Sequence, residues 1–594
     1  MKMKRNLFLM VVFLCVLSSS IFAANFQKVQ NINSDVDEAI ASLLISQGKT
    51  PGGETLPYSN AELISMLHRI DVNDLNDSEV EIYNYIYNIA HEKPKQSTKG
   101  MGITWSGAAD LELYTHTNMD SDNLGREYWI RGWNEMEPML KFNLETWPSD
   151  NFYGFGEISF GNSLYVGNYA DKPSDSNTLD FGHSVLTTNI LMLSDPTTLV
   201  ANDLDFGVPY RAFVTFGGDN WTFQTGREQL SWGNGETGNF TIGDQVTYHN
   251  MARYTAYSDI YKYTFLTSFF PHPSLYYDYD DSSKLQELDM YGGQDDDNNG
   301  LKMYMAHRLE FNIAKKINLT VTESIMYQSI ENKLDLTVLN PAAIYHDYYI
   351  RNNANSLLTF EMNYTPIKHL NVYGQLTVDE FALPGEPTSG SSYNPQALGM
   401  MLGVKGIYPI NGGFAYASLE GVKTDPYLYL RDGEETSDGE ETSDGEEYDI
   451  NYVVAVRNWS DDVSYDEEFI GYEYGGDALV LNLNGGYKKL GKYSVEANAF
   501  YMAHGTFDKW TEWEKGSDAS TPTSSNSNYN KKTTTSSKDA VEHTVVLGIN
   551  GNYIINSNTN TYGQLDYVYK RNYGNISGET YNDVQLTAGI KYKF

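Results

Sequence analysis

The sequence predicts an all-β transmembrane barrel of antiparallel strands, preceded by a small N-terminal α-helical bundle. Three observations carry that expectation. From about Ile103 to the C-terminus the apolar residues recur with a period of two, which gives each strand one greasy and one wet face. The last segment does so most cleanly: Val584, Leu586, Ala588, Ile590, Tyr592 and Phe594 share one parity, and Gln585 to Lys593 supply polar residues or glycine on the other. Finally, Tyr (47) and Gly (50) are abundant and Pro (18) is sparse, yet past the N-terminus no apolar run is long enough for a spanning helix. Aromatic girdles, alternating strands and a polar lumen produce that balance.

Residues 1–23 read as a secretory signal. Lys2, Lys4 and Arg5 form its basic region, Leu7–Leu17 its apolar core, and Ser18–Ala24 its small-residue exit. Cys15 is the sole cysteine and lies within that core, preceded by Leu14, which does not suit a lipoprotein site. A mature chain without cysteine has no disulfide, thiolate metal site or catalytic thiol. Taking the three basic signal residues from 41 leaves 38 basic against 78 acidic. No nucleic-acid partner is expected of so acidic a chain, because phosphate contacts need a basic footprint.

Residues 24–100 are expected to form a helical bundle and linker on the periplasmic side. Ser34 precedes an acidic first turn and Val36, Ile40, Leu43 and Leu44, with Gly48 closing the helix. Ser59 and Glu62 form a capping box before Leu63, Met66, Leu67 and Ile70. Ser78 with Glu81 reads as a second box, before Ile82, Tyr85, Ile86 and Ile89. Helices this short are unstable alone, so they must pack on one another or on the barrel. Pro94–Gly100 reads as the linker.

Residues 101–594 should form the barrel, with room for roughly 16–20 strands of about ten residues plus loops. Besides the final strand, the clearest are Met139–Trp147, Phe152–Phe160, Tyr210–Phe216, Trp221–Arg227, Tyr261–Phe269, Met303–Ile313, Ile317–Gln328, Leu357–Tyr364 and Leu370–Asp379. Leu398–Tyr408, Phe414–Val422, Tyr448–Arg457, Leu479–Lys488, Tyr493–His504, Val541–Tyr553 and Thr561–Tyr569 follow. The final strand should close the ring against the first near Ile103, with Lys591 and Lys593 facing inward or toward the periplasmic rim, where luminal carboxylates can accept them. Between strands lie Asp-rich 278–300, a repeated Asp-Gly-Glu-Glu-Thr-Ser at Asp432–Glu447, and a Ser/Thr/Asn/Lys-rich stretch at 516–538. These are solvated loop compositions, placed outside the cell by the rule that long barrel loops are extracellular.

No catalytic or metal constellation emerges, so neither an enzyme nor a cofactor is expected. Asp295–Gly300 starts like an EF-hand, but Ala306 stands where the bidentate Glu belongs. His91-Glu92 meets Lys95 instead of a second zinc-binding His. The wet faces say more. Arg308 and Glu310 share one with Asn312; Thr359, Glu361 and Asn363 another; Asn371, Tyr373, Gln375, Thr377 and Asp379 a third. Such a set suits a filled, hydrogen-bonded lumen or a sugar-binding wall, with lumen packing the default. Glu323 alone falls on the apolar parity of its strand, which places it near a membrane edge or at a bulge.

The block Gly226-Arg227, Trp232-Gly233-Asn234-Gly235, Asn239-Phe240 resembles the Gly-Arg…Trp-Gly-x-Gly block of Wzi-type capsule assembly proteins. The resemblance continues through His307–Phe311, Thr322-Glu323-Ser324, Leu339-Asn340-Pro341, Tyr345-His346, Asn353–Asn355 and Tyr373–Glu380, with Leu56–Leu63 also similar. It covers about residues 226–380 best. The sequence departs from the pattern at Asn234, where Pro is common, and in its acidic and Ser/Thr-rich loops. The resemblance implies an outer-membrane barrel of about 18 antiparallel strands over a periplasmic helical bundle, holding capsular polysaccharide or a related exopolysaccharide as a lectin would. The terminal Phe594 likewise resembles the ending that the barrel assembly machinery reads in outer-membrane barrels, and the band facing outer-membrane lipid completes the expected partners. Trp232, Arg308, Glu310, Tyr373, Gln375 and Asp379 are the candidate polysaccharide-binding residues. A porin or uptake channel, cation-preferring because of its acidic lumen, is the alternative.

Overall fold

The structure is a computed structural model. It describes residues 25–594 except 33, 99–100, 119–128, 132–134, 163–185, 196–197, 202–203, 208–209, 274–276, 279–280, 286–299, 330–339, 341–343, 346–353, 381–396, 432–449, 460–462 and 512–539. The signal, the acidic repeat, the EF-hand-like stretch and the Ser/Thr-rich loop therefore lie outside the described residues.

Eighteen antiparallel strands close into one ring. In chain order they are β1 (Met101–His116), β2 (Leu140–Ser149), β3 (Phe152–Asn162), β4 (Ala212–Gly218), β5 (Trp221–Glu228) and β6 (His249–Tyr257). Then come β7 (Tyr261–Pro271), β8 (Leu301–Ile313), β9 (Ile317–Ser329), β10 (Ala354–Ile367), β11 (Leu370–Glu380) and β12 (Ala397–Ile410). The last are β13 (Gly413–Thr424), β14 (Ala478–Lys489), β15 (Tyr493–His504), β16 (Glu542–Asn556), β17 (Thr559–Arg571) and β18 (Thr580–Lys593). Alternate connections are two- to three-residue turns, such as Gly218–Trp221 and Ile410–Gly413, so one rim is short and the other carries the long connections. Both ends of the ring's chain lie at the short-turn rim.

Side-chain parity follows the sequence. On β18, Val584, Leu586 and Ile590 point outward, while Asp583, Gln585 and Thr587 are buried inside. Leu547, Leu565, Leu481, Leu419 and Leu402 continue the exposed apolar band around the wall. At the short-turn rim, Tyr261, Tyr408, Tyr493, Tyr553, Tyr592 and Phe594 stand exposed above it, an aromatic girdle of the kind found at membrane interfaces. The ring closes between β18 and β1, but from Lys593↔Ala108 to Gln585↔His116, not at Ile103. Strand stagger leaves the start of β1 beyond the end of β18, and Gln96–Thr98 folds back to pair with Met101–Ile103 there. The expected linker is thus partly a strand.

Two strand expectations are corrected. Tyr448–Arg457 is not a wall strand; Val453–Trp459 pairs with Val463–Phe469 as a hairpin within the connection between β13 and β14. β6 was missed because its outward parity, Asn250, Ala252, Tyr254 and Ala256, is only weakly apolar, while Met251 faces inward.

The helices are α1 (Asp35–Ser46), α2 (Asn60–His68) and α3 (Asp77–Ala90). Ser59 and Glu62 close the expected box on α2. On α3 the box is Asn76 with Glu79, two residues before the expected Ser78/Glu81; Asn76 leads because its extended backbone lets Oδ1 accept from both Ser78 and Glu79 N–H. Gly48, at φ +75°, ends α1. Val36, Ile40, Leu43, Leu63, Leu67, Ile82 and Ile86 form one core that also takes in Ile407 and Phe414 of the wall. Ion pairs Lys488–Asp35 (3.0 Å), Lys488–Glu38 (2.6 Å) and Lys262–Glu62 (2.8 Å) pin the helices to β14 and β7.

A ring this wide would enclose an aqueous channel if left empty. It is filled from both rims. From the short-turn side, residues 49–58 thread the lumen between α1 and α2. From the other side, parts of the connections after β5 and β13 fold inward, and Leu230, Trp232, Phe240, Ile242, Leu428, Tyr429, Tyr452, Val454 and Tyr472 build an apolar core inside the barrel. The two plugs meet in a short antiparallel pair, Thr55↔Trp232 and Leu56↔Ser231.

Candidate functional site

Beyond that pair, the wall supplies several of the threading segment's backbone partners. Gly52 O accepts from Asn363 Nδ2 (3.1 Å) and Pro57 O from Arg253 Nη2 (2.9 Å); before α1, Gln27 O likewise accepts from Thr215 Oγ1 (2.6 Å). Thr55 Oγ1 donates to Glu310 Oε1 (2.6 Å) and accepts from Arg308 Nε (3.0 Å). Arg308, wholly buried, also forks onto Glu361, with Nη2 to Oε2 at 3.0 Å, and donates to Thr322 Oγ1 (3.1 Å). Gly53 permits the approach: a Cβ there would meet Arg308 Nη2 at 2.7 Å and Thr320 Oγ1 at 2.8 Å.

The Trp-Gly-Asn-Gly turn is the tip of the inward loop after β5. Gly233 has φ +130°, and a Cβ on it would strike Asn239 Oδ1 at 2.2 Å and Gln375 Nε2 at 2.5 Å. Gln375 donates to Asn239 Oδ1 (2.6 Å) and accepts from Phe240 N–H (3.1 Å). Tyr373 donates to Glu420 (2.8 Å), which also receives the Thr237 N–H and hydroxyl. Five of the six candidate residues, Trp232, Arg308, Glu310, Tyr373 and Gln375, therefore gather round the junction of the two plugs, buried and engaged with the fold. The sixth, Asp379, lies apart near the loop rim, where its Oδ2 accepts the Tyr429 N–H at 2.6 Å.

Glu323 has a direct account. It faces outward opposite His307 on β8, meets its Nε2 at 3.0 Å, and Tyr345 stacks over that imidazole at 4.5 Å. No bulge interrupts the β8–β9 register there.

Among the described residues, two cavities that adjoin the plugs are well defined. The smaller, about 350 Å³, lies between α1, the Gly233–Asn239 turn and the wall, and is lined by Asp37, Glu38, Glu54, Glu236, Lys405 and Lys488. Burial pushes the Glu54 carboxyl up to about 7; Lys405 opposes that, while Glu236 and Glu38 add to it. Burial and the carboxylates of Glu54, Glu38 and Glu62 push Asp37 well above the usual range. Glu38 is held below the usual range, because Lys488 and Lys405 outweigh its burial.

The larger cavity, about 1530 Å³, runs along the opposite inner wall from Ser557, Asn558 and Lys593 at the short-turn rim to Arg211 and Thr247 beside the inward loops. One side is a lattice of paired charges: Lys28–Glu145 (2.9 Å), Lys141–Glu157 (3.4 Å), Arg211–Glu228 (2.7 Å) and Lys591–Glu137 (3.0 Å). Lys591 thus meets the luminal carboxylates the sequence predicted. Burial alone would raise Glu137, but Lys591 and Lys141 bring it down to about 2. The other side carries Trp129, Tyr474 and Phe500 with Asn482, Asn550 and Gln564. Sequence reasoning missed this side: Trp129 and Arg131 sit in an aperiodic connection, and the readable signal was the unused pair of luminal amides in Asn482-Leu483-Asn484.

No family model matches the chain, and no curated protein matches it in sequence. Among solved structures it is similar to Wzi of Escherichia coli, an outer-membrane protein involved in group 1 capsule assembly and described as a carbohydrate-binding β-barrel. The TM-score is 0.52 at 11% identity, over 95% of this chain and 99% of that one. The fold is that of an outer-membrane β-barrel. Weaker likenesses reach the outer-membrane channel DcaP of Acinetobacter baumannii (TM-score 0.35, 9% identity, 84% of this chain, 99% of that one) and opdK of Pseudomonas aeruginosa (0.36, 9%, 82%, 98%). At such identities the likeness is one of architecture, and residue roles rest on the geometry above.

Proposed function

We propose that the chain is a Wzi-type outer-membrane barrel that binds and anchors capsular or related surface polysaccharide without catalysing a reaction. The observation that carries this reading is a ring wide enough to conduct whose lumen is occupied from both rims. The direction toward carbohydrate comes from the solved barrel described as carbohydrate binding and from the Trp-Gly-x-Gly block. In this reading the short-turn rim and helices face the periplasm, the long connections, Asp432–Glu447 among them, face outward, and the assembly machinery reads Phe594. The junction residues Trp232, Arg308, Glu310, Tyr373 and Gln375 serve binding by holding the inward loops in place, and Asp379 by fixing the connection after β13.

Cells displaying the full chain should retain labelled capsular polysaccharide, and the purified barrel in planar bilayers should give no large, steady steps. A deletion of 432–447 reports whether the acidic repeat contributes. The second reading, an uptake channel or porin, is favoured by the cavity of about 1530 Å³ beside the plug. Large steps without polysaccharide retention would decide for it.

A further inference from the structure

The amide side of the large cavity carries buried polar groups that meet no partner in the protein. Asn484 on β14 and Asn498 on β15 are cross-strand partners with side chains turned into the lumen, and Asn482 stands one step along the same face. All three are more than nine-tenths buried. Asn482 Oδ1, Asn484 Oδ1 and both Oδ1 and Nδ2 of Asn498 make no hydrogen bond to the protein. Buried amides are ordinarily satisfied, because each unmade hydrogen bond costs about 1–3 kcal/mol. Of the three, Asn482 lines the cavity; Asn484 and Asn498 continue its luminal face toward Gly548, and together they suit a partner with hydroxyls.

An aromatic platform adjoins them. Asn498 pairs across the sheet with Gly548 on β16, and the Trp129 ring lies against Gly548 so closely that a Cβ there would meet Cζ3 at 2.3 Å. Trp129 is held in the left-handed region, φ +65°, unusual for a bulky residue. Its carbonyl accepts from Gln564 Nε2 (2.6 Å), and the segment is locked two residues on by Arg131, which forks onto Glu112 and stacks on Tyr562 at 4.7 Å. The indole is half-buried and borders the cavity.

We propose that this patch is a luminal subsite for an uncharged pyranose oligosaccharide. The inference deepens the polysaccharide-binding reading and rests on it. A sugar ring offers an apolar C–H face to an indole and hydroxyls that donate and accept at its rim, and asparagine amides match both. The charge pattern selects against a uronate. Glu496 lies two residues before Asn498 on the same face, Asp566 pairs across the sheet with Gly548, and Glu473 lines the cavity, while Lys141, Arg211 and Lys591 across the cavity each already hold a carboxylate. The volume exceeds the roughly 300–1,000 Å³ of ordinary small-molecule sites and accommodates a run of sugar residues.

The test uses the full chain in nanodiscs, titrated calorimetrically with gluco-, manno- and galacto-hexaose and with a hexagalacturonate, alongside polysaccharide retention by cells. Asn482→Leu/Asn498→Leu removes unpaired amides, the cavity-lining one among them, at similar volume, so its thermal midpoint should hold or rise. At least one neutral hexaose should bind wild type, about tenfold or more weaker to the double variant and to Trp129→Gly, which relieves the strained φ as it removes the indole. Polysaccharide retention by cells with no hexaose binding, or binding indifferent to these variants, would overturn the luminal site and leave the anchoring function standing. Binding of the hexagalacturonate alone would overturn the class of sugar. No retention and no binding would fell the anchoring reading, and the inference with it.

Discussion

Arg308 shows how a residue that reads as a ligand-binding candidate can be consumed by the fold. Its guanidinium is out of water, forked onto Glu361, near Glu310 at 3.5 Å, and bonded to Thr55 of the threading segment. A buried pair of this kind contributes little net stability against a well-packed apolar replacement, but breaking it strands a charge. Arg308→Met should therefore lower the stability of the barrel by about 3–5 kcal/mol, read as a fall in the urea midpoint in detergent. Arg308→Met combined with Glu361→Leu should recover much of that loss, with Glu310 still held by Thr55. Gly233→Ala is the backbone counterpart. A methyl 2.2 Å from Asn239 Oδ1, on a φ that L-residues avoid, should unseat the Trp232 turn and expose its indole to quencher while the strand signal in circular dichroism persists.

At the scale of elements, the plug junction is built to respond to pH. Glu54 faces Glu38 and Asp37 on α1, Glu236 on the inward loop, Lys405 on β12 and Lys488 on β14. Its folded pKa of about 7 exceeds the ordinary 4.5, so between those values the seated state binds more protons than the unseated one. Seating is then strongest near pH 4.5 and weakens as pH rises to about 7. Asp37 acts in the same direction; Glu38, held low, acts oppositely and only below its ordinary range. Amide hydrogen exchange across residues 49–58, corrected for intrinsic rates, should show greater protection at pH 5 than at pH 8, and Glu54→Gln should flatten the difference. The wall was legible because lipid on one side and a wet lumen on the other impose alternation strand by strand. β6 escaped because small outward residues blur that contrast. The junction was not legible, because parity shows that Arg308 and Gln375 point inward without showing what arrives from 253 and 135 residues away to meet them.

For the whole molecule, the question is what an eighteen-stranded ring gains from being filled. An open ring of this size carries water and solute, yet here the wall's luminal side chains are spent on plug backbone, and an apolar core of the kind found in soluble domains sits inside. That core and the threading segment are separable. The wall closes through β18 and β1 by its own hydrogen bonds, and Phe594 completes the seam by exchanging hydrogen bonds with Gly107 and packing on Phe142. Removing residues 25–70 should leave a closed ring with strand content and heat-modifiable migration intact, while exposing the inner faces of Arg308, Glu361 and Arg253 to water. Full-length protein in planar bilayers should stay near baseline, and the truncated form should conduct with cation preference, because the wall is acidic. Equal conductance from both would mean that the 1530 Å³ cavity already forms the passage and that the threading segment does not gate it. Silence from the truncated ring would assign the blockage to the inward loops alone, which a further deletion within 425–477 should then release.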